Sequence, residues 1–244
     1  MIIFFLVLSI ETRIDSLEHA FDEERQIETL LELNNCYVKT GQFHKSMTLL
    51  GQNERYFPKD ADRSRIMYQL GNVFMFVGEV NKAHEMYLQL MSRYPRLDIA
   101  NDAAERLYII ETVRDDTVQL KRLSNVIRLY ETEQYTPAVD SARVLLKSTV
   151  APYAYLYMAL AYRGLGDLTL TLGVLEEMNE KFPEHRIHEA TLLAADVYMI
   201  LGKQEEAEEM LKDLIVREPN TIYALKARQK LEKLKGTMGS NLDY

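Results

Sequence analysis

A glycine stands 17 positions before a proline four times in this chain: Gly41 before Pro58, Gly78 before Pro95, Gly166 before Pro183 and Gly202 before Pro219. Around each glycine the same side-chain classes recur. Four residues before it stand Tyr37, Phe74, Tyr162 and Tyr198, and eight before it Leu33, Leu70, Met158 and Ala194. Five residues after it stand the small Ser46, Ala83, Thr171 and Ala207, and nine after it Leu50, Tyr87, Leu175 and Leu211. Steps of three to five residues are helical spacing. Each interval therefore predicts two helices with a bend at the glycine, which adopts positive φ without a Cβ penalty. The small residue lets the second helix approach the first, and the aromatic fills the gap between them. The proline stops the second helix, because it lacks an N–H and disfavours helix in the residue before it.

The period is 37 residues for the first two units and 36 for the last two. Between Gly78 and Gly166 there is room for one more, degenerate unit. In it Glu133 takes the glycine place, Leu129 the aromatic place, Ala138 the small place and Ala142 the place nine after. The residues left over, 97–112, predict an extra amphipathic helix, capped by Asp98 or Asn101, with Ala104, Leu107 and Ile110 along its apolar side. A closing helix at 220–235, capped by Asn220 or Thr221, has one apolar and one cationic side, as a repeat array needs at its end. The fold expected is all-α: a solenoid of stacked helix pairs over 11–235 with units at 27–58, 64–95, 119–150, 152–183 and 188–219. Residues 236–244 are expected to form a flexible tail.

The first ten residues, "MIIFFLVLSI", are apolar but too few to cross a bilayer as a helix. Two readings stay open. Residues 1–10 have the length of a signal-peptide hydrophobic region, with Val7 and Ser9 at suitable cleavage positions but no basic start. They equally suit a first helix whose apolar end packs on the next. The formal net charge of -8 argues against nucleic acid as a partner. The single cysteine, Cys36, allows no intrachain disulfide and no multi-cysteine metal site.

The repeated positions resemble the tetratricopeptide repeat, a helix-turn-helix of 34 residues with a Leu-Gly, Tyr, Gly, Ala, aromatic and Pro pattern. Leu70-Gly71 reproduces the Leu-Gly pair only in the second unit, and no unit carries the signature Trp. The longer period and the junctions "RYPRLDIANDAAERL" and "KFPEHRIHEATLLAADVY" resemble the barrel-assembly lipoproteins and Tol-Pal coordinator proteins of Gram-negative envelopes. That likeness implies a periplasmic scaffold, although no lipobox cysteine lies near the N-terminus. The tetratricopeptide likeness implies a right-handed superhelical twist of the solenoid, in which the first helix of each unit lines a concave face. On this face it places Asn35, Lys39, Arg65, Tyr68, Asn72, Met75, Phe76, Tyr130, Tyr153 and Arg163 as partner-binding residues. The family often uses Asn at the place of Asn35 and Asn72 to bond a peptide backbone. The carboxylate-clamp form needs Lys where this chain has Leu31 and Tyr68. The apolar lining leaves two possibilities, a groove for a partner segment or plain core.

Little in the sequence points to catalysis. His185 and His188 are three apart near a helix start, but a metal site needs a further ligand. His19, His44 and His84 read as surface residues, and Cys36 as a buried inert thiol. No phosphate-binding glycine loop or nucleophile elbow occurs. No cofactor, metal or catalytic residue is expected. The function expected is a non-enzymatic protein-protein interaction scaffold, periplasmic, with a cytoplasmic adaptor as the alternative. A recruiting fragment of a larger enzyme and a self-assembling structural protein are the readings from other classes.

Overall fold

The structure, a computed structural model, describes residues 2–185 and 187–239, with side chains described over 10–185 and 187–234. All its regular elements are helices: α1 (Ile2–Glu23), α2 (Ile27–Lys39), α3 (Phe43–Asn53), α4 (Asp60–Phe76), α5 (Val80–Arg93), α6 (Ile99–Thr112) and α7 (Thr117–Glu131). Then follow α8 (Tyr135–Arg143), α9 (Ala151–Gly164), α10 (Leu168–Lys181), α11 (His188–Ile200), α12 (Gln204–Arg217) and α13 (Ile222–Gly239). The fold is all-α and built of tetratricopeptide-like helix pairs. No helix of the described residues is long and apolar enough to cross a membrane.

The bends obey the backbone chemistry of the glycines. Gly41, Gly78, Gly166 and Gly202 hold φ of 73°, 81°, 81° and 73°. At each bend the N–H of the next residue returns to the carbonyl of the residue four before the glycine. Gln42 bonds Tyr37, Glu79 bonds Phe74, Asp167 bonds Tyr162 and Lys203 bonds Tyr198, at 2.7 to 3.0 Å. This is the double closure of a helix end through one left-handed residue. The fifth bend falls at Glu133, whose φ is 60° despite its side chain, and Gln134 N–H donates to Leu129 at 2.8 Å in the same way.

The prolines act through the residue before them. Tyr94, Phe182 and Glu218 end α5, α10 and α12 in one conformation, φ near -130° and ψ between 50° and 56°. That ψ lies outside the helical region, as a following proline demands. The small residues five after each bend, Ser46, Ala83, Ala138, Thr171 and Ala207, are all fully buried. A larger side chain there would hold the two helices of a pair apart.

The chain divides into two compact units, the first ending at Gln134 and the second beginning at Tyr135. The pair expected over 119–150 is thus split, with α7 in the first unit and α8 in the second. In the first unit α1 packs on α2 along Ile10, Ile14, Leu17 and Phe21, one helical stripe. From α2 to α6 each helix packs on the next, and α7 packs on α4. The core joins Phe21, Leu30, Leu50, Phe57, Ile66 and Val73. In the second unit α8 to α13 pack in succession, and Leu192, Ala207, Leu211, Leu214 and Leu231 form the core of the last three helices.

Several local expectations are corrected. In α6 the buried positions are Ala100, Ala103, Arg106, Ile109 and Ile110, so the packed stripe is rotated from the Ala104–Leu107–Ile110 line. The expected stripe skipped Arg106, which turns inward because a carboxylate waits there. Asp98 stands at the N-cap of α6 but its side chain makes no cap bond. Thr221 does cap α13, accepting from Ala224 N–H at 3.2 Å. The last helix continues to Gly239, past the expected end at 235, and the expected tail beyond 239 lies outside the described residues. The cleavage-site reading of Val7 and Ser9 rests on side chains outside the described set.

Candidate functional site

The first unit contains a cleft of about 440 Å³ between α2 and α4, closed by the start of α6 and the end of α7. From α2 come Leu31, Asn34, Asn35 and Val38, and from α4 come Arg65, Tyr68, Gln69, Asn72 and Phe76. Both sets follow the i, i+3, i+4, i+7 rule, so each is one face of its helix. Ile99 of α6 and Glu131 of α7 complete the wall.

Four polar arrangements shape this cleft. Arg65 Nη1 bonds Glu28 Oε1 at 3.0 Å across α4 and α2, and this bond holds the Glu28 carboxyl below its ordinary range. Asn34 Oδ1 accepts from Ser46 Oγ at 2.5 Å, and Asn72 Oδ1 accepts from the Tyr87 hydroxyl at 2.7 Å. Behind the lining, Arg106 is 7% exposed and donates from Nη2 to the cleft residue Glu131, at Oε1, 2.7 Å away. Burial pushes the Tyr68 phenol up, while the hydrogen bond and charge of Arg106 oppose that shift. A buried guanidinium is tolerable only when paired and bonded, and this one links α6, α4 and α7.

Of the ten residues read as partner-binding, Asn35, Arg65, Tyr68, Asn72 and Phe76 come together in this cleft. The other five do not. Lys39 is tied to Glu133 at 2.9 Å. Met75 and Tyr153 are buried, so they are core rather than contact surface. Tyr130 is half-buried on α7 and does not line the cleft. Arg163 lies in the second unit and points to Asp196, 4.0 Å away, which Lys230 also engages. The apolar places on α7, α9 and α11 (Leu120, Leu123, Ile127, Leu156, Leu160 and Leu192) are buried too. Of these helices α9 is surrounded, with twelve successive buried residues from Ala151 to Tyr162, while α7 and α11 bury one face. For those six residues the plain-core possibility is the correct one.

Sequence reasoning missed Asn34, Gln69, Ile99 and Arg106. Arg106 left a trace: a cation spaced with Ala103 and Ile110 on an otherwise apolar face. Asn72, at the place where the family often bonds a peptide backbone, is 5% exposed and its oxygen is taken by Tyr87.

His84 was read as a surface residue. Its side chain is 21% exposed and its Nε2 meets the Glu111 carboxylate, joining α5 to α6. Cys36 is buried, and burial pushes its thiol up, away from reactivity. In the second unit His185 and His188 line one cleft of about 370 Å³ with Asp213, Arg217 and Glu218. Among the described residues no group of three or more His, Cys, Asp or Glu side chains could hold a metal.

Residues 153–185, α9 and α10 with their flanking turn, match the model of the tetratricopeptide repeat family. No curated protein matches the sequence. Among solved structures, the chain is similar to the TPR2AB-domain:pHSP90 complex of yeast Sti1, with 16% identity, 95% of this chain and 94% of that one covered, and a TM-score of 0.44. It is also similar to a tetratricopeptide repeat protein from Parabacteroides merdae, with 17% identity, 92% and 91% covered, and a TM-score of 0.42. A third similarity is to YrrB, described as a TPR protein with an unusual peptide-binding site, with 17% identity, 88% and 99% covered, and a TM-score of 0.40.

Proposed function

We propose that this chain is a non-enzymatic protein-protein interaction scaffold that takes a segment of a partner into the cleft of its first unit. The observation that carries this reading is the mixed wall of that cleft: Leu31, Val38, Phe76 and Ile99 beside Asn35, Arg65, Tyr68 and Gln69. Apolar surface interleaved with carboxamides, a guanidinium and a phenol is the makeup of a site that holds a chain segment. A tetratricopeptide repeat at 153–185 supports the same class of function. The partner-binding set is accordingly Asn35, Arg65, Tyr68, Asn72 and Phe76, enlarged by Gln69 and Ile99.

The cell envelope is the proposed setting, on the likeness of the aromatic-proline junctions to the barrel-assembly and Tol-Pal coordinator proteins. Fractionation of the native cells tests this, and recovery with cytoplasmic markers overturns it. The cleft is tested by crosslinking pull-down with Tyr68→Ala and Phe76→Asp. Both variants are expected to lose the partners captured by the wild-type chain while keeping its helical circular dichroism. Partners that survive both substitutions place the contact elsewhere.

A further inference from the structure

The cleft has a polarity set from behind. Asn34 and Asn72 both line it, and both have their oxygen held by a hydroxyl on the second helix of the pair, Ser46 on α3 and Tyr87 on α5. Both hydroxyl residues are fully buried. A carboxamide has one accepting oxygen and two N–H donors. When the oxygen is committed inward, donors are what remain for the cleft.

Tyr87 reaches Asn72 because Gly71 has no side chain. A Cβ on Gly71 would lie 2.6 Å from Tyr87 Cε1, closer than atoms can approach. The second unit alone has both a Leu-Gly pair and a tyrosine nine places after its bend, where other units have Leu or Ala. Gly71 and Tyr87 thus form one device that fixes the neighbouring carboxamide.

The charged lining favours the same polarity. Glu131 is already engaged by the buried Arg106. Arg65 is paired with Glu28, but their side chains are 42% and 70% exposed. An exposed pair of that kind is weak, so Arg65 can exchange Glu28 for another carboxylate at little cost.

We propose that Tyr87 is a positioning residue of the cleft, turning the N–H groups of Asn72 outward so that the cleft selects an acidic peptide segment, with Arg65 meeting its carboxylate. Ser46 does the same for Asn34. This rests on the reading that the cleft holds a chain segment.

The test is an array of acidic, basic and neutral heptapeptides, with affinities measured by fluorescence anisotropy on the full chain. Wild type is expected to bind the acidic set about tenfold tighter than the basic set, the effect of one charge-assisted hydrogen bond. Tyr87→Phe keeps the ring against Gly71 and frees the carboxamide to turn over, so the acidic-to-basic ratio is expected to fall severalfold. Asn72→Asp is expected to lose the acidic preference altogether. Tyr155→Phe is the control. It removes a hydroxyl bonded to Glu177 at 2.8 Å in the second unit, so it shifts melting temperature without touching the ratio. A ratio unchanged in Tyr87→Phe, or a wild type that prefers basic or neutral peptides, overturns the positioning role and leaves the cleft as a binding site. No binding by any peptide, or binding indifferent to Phe76→Asp, overturns the cleft reading and the polarity with it.

Discussion

At the scale of single residues, the two most informative positions are one where glycine is missing and one where it is required. Glu133 holds φ 60° with a full side chain. The left-handed conformation costs an ordinary residue about 1–2 kcal/mol. The bend is braced by neighbours: the Gln134 carboxamide donates to the Thr132 hydroxyl at 3.0 Å, as Gln42 donates to Thr40 at 2.9 Å. Glu133→Gly removes the strain and loses an exposed bond to Lys39 worth about 0.2–1 kcal/mol. It is expected to raise the unfolding free energy by about 0.5–1 kcal/mol in urea titration. Glu133→Ala keeps the strain and loses the bond, so it is expected to be no more stable than wild type. Gly71→Ala drives a methyl into a buried ring and is expected to cost about 1–3 kcal/mol. Gly173 has open space around its Cβ position in α10, and Gly173→Ala is expected to stabilise by up to about 1 kcal/mol. Equal effects at Gly71 and Gly173 contradict the close-approach account.

At the scale of elements, α6 is the piece the repeat does not supply. It joins α5 through His84 and Glu111, and the cleft through Ile99 and Arg106. The hydrogen bond from His84 holds the Glu111 carboxyl below its ordinary value, burial opposes, and Arg114 adds a further lowering. A depressed carboxyl contributes stability above its unfolded pKa and loses it as pH falls through the folded one. The support at this seam is therefore full above about pH 4.5 and fades on further acidification. His84→Ala is expected to move the Glu111 titration upward in an NMR pH series. It should also bring loss of hydrogen-exchange protection in α6 to higher pH. An unchanged Glu111 midpoint contradicts the pairing.

At the scale of the whole molecule, net charge argues against one class of partner, nucleic acid. With 37 acidic against 29 basic residues, the chain carries a formal charge of -8. Phosphate backbones are repelled by such a surface. The chain is expected to pass through immobilised heparin at physiological salt without retention, and retention eluting only at high salt refutes that expectation. The two compact units also differ in build: the first has the cleft between α2 and α4 and an inserted helix, while in the second α9 is buried along twelve successive residues.

The sequence by itself determined the helix pairs, their bends and their stops. These depend on local backbone chemistry: positive φ at Gly41, Gly78, Gly166 and Gly202, and non-helical ψ before Pro95, Pro183 and Pro219. It also located the fifth bend at Glu133, because the small residues around it kept their phase. Which apolar faces are core and which line a cleft was decided only by tertiary structure. Tyr68 and Leu156 each stand ten residues before the glycine of their bend, yet one lines a cleft and the other is buried. That difference arises from what packs against each helix. Periodicity reports a face but not its neighbours. Arg106 could be assigned to the cleft only once α6 and α7 were placed beside α4, because its partners lie 25 and 38 positions away along the chain.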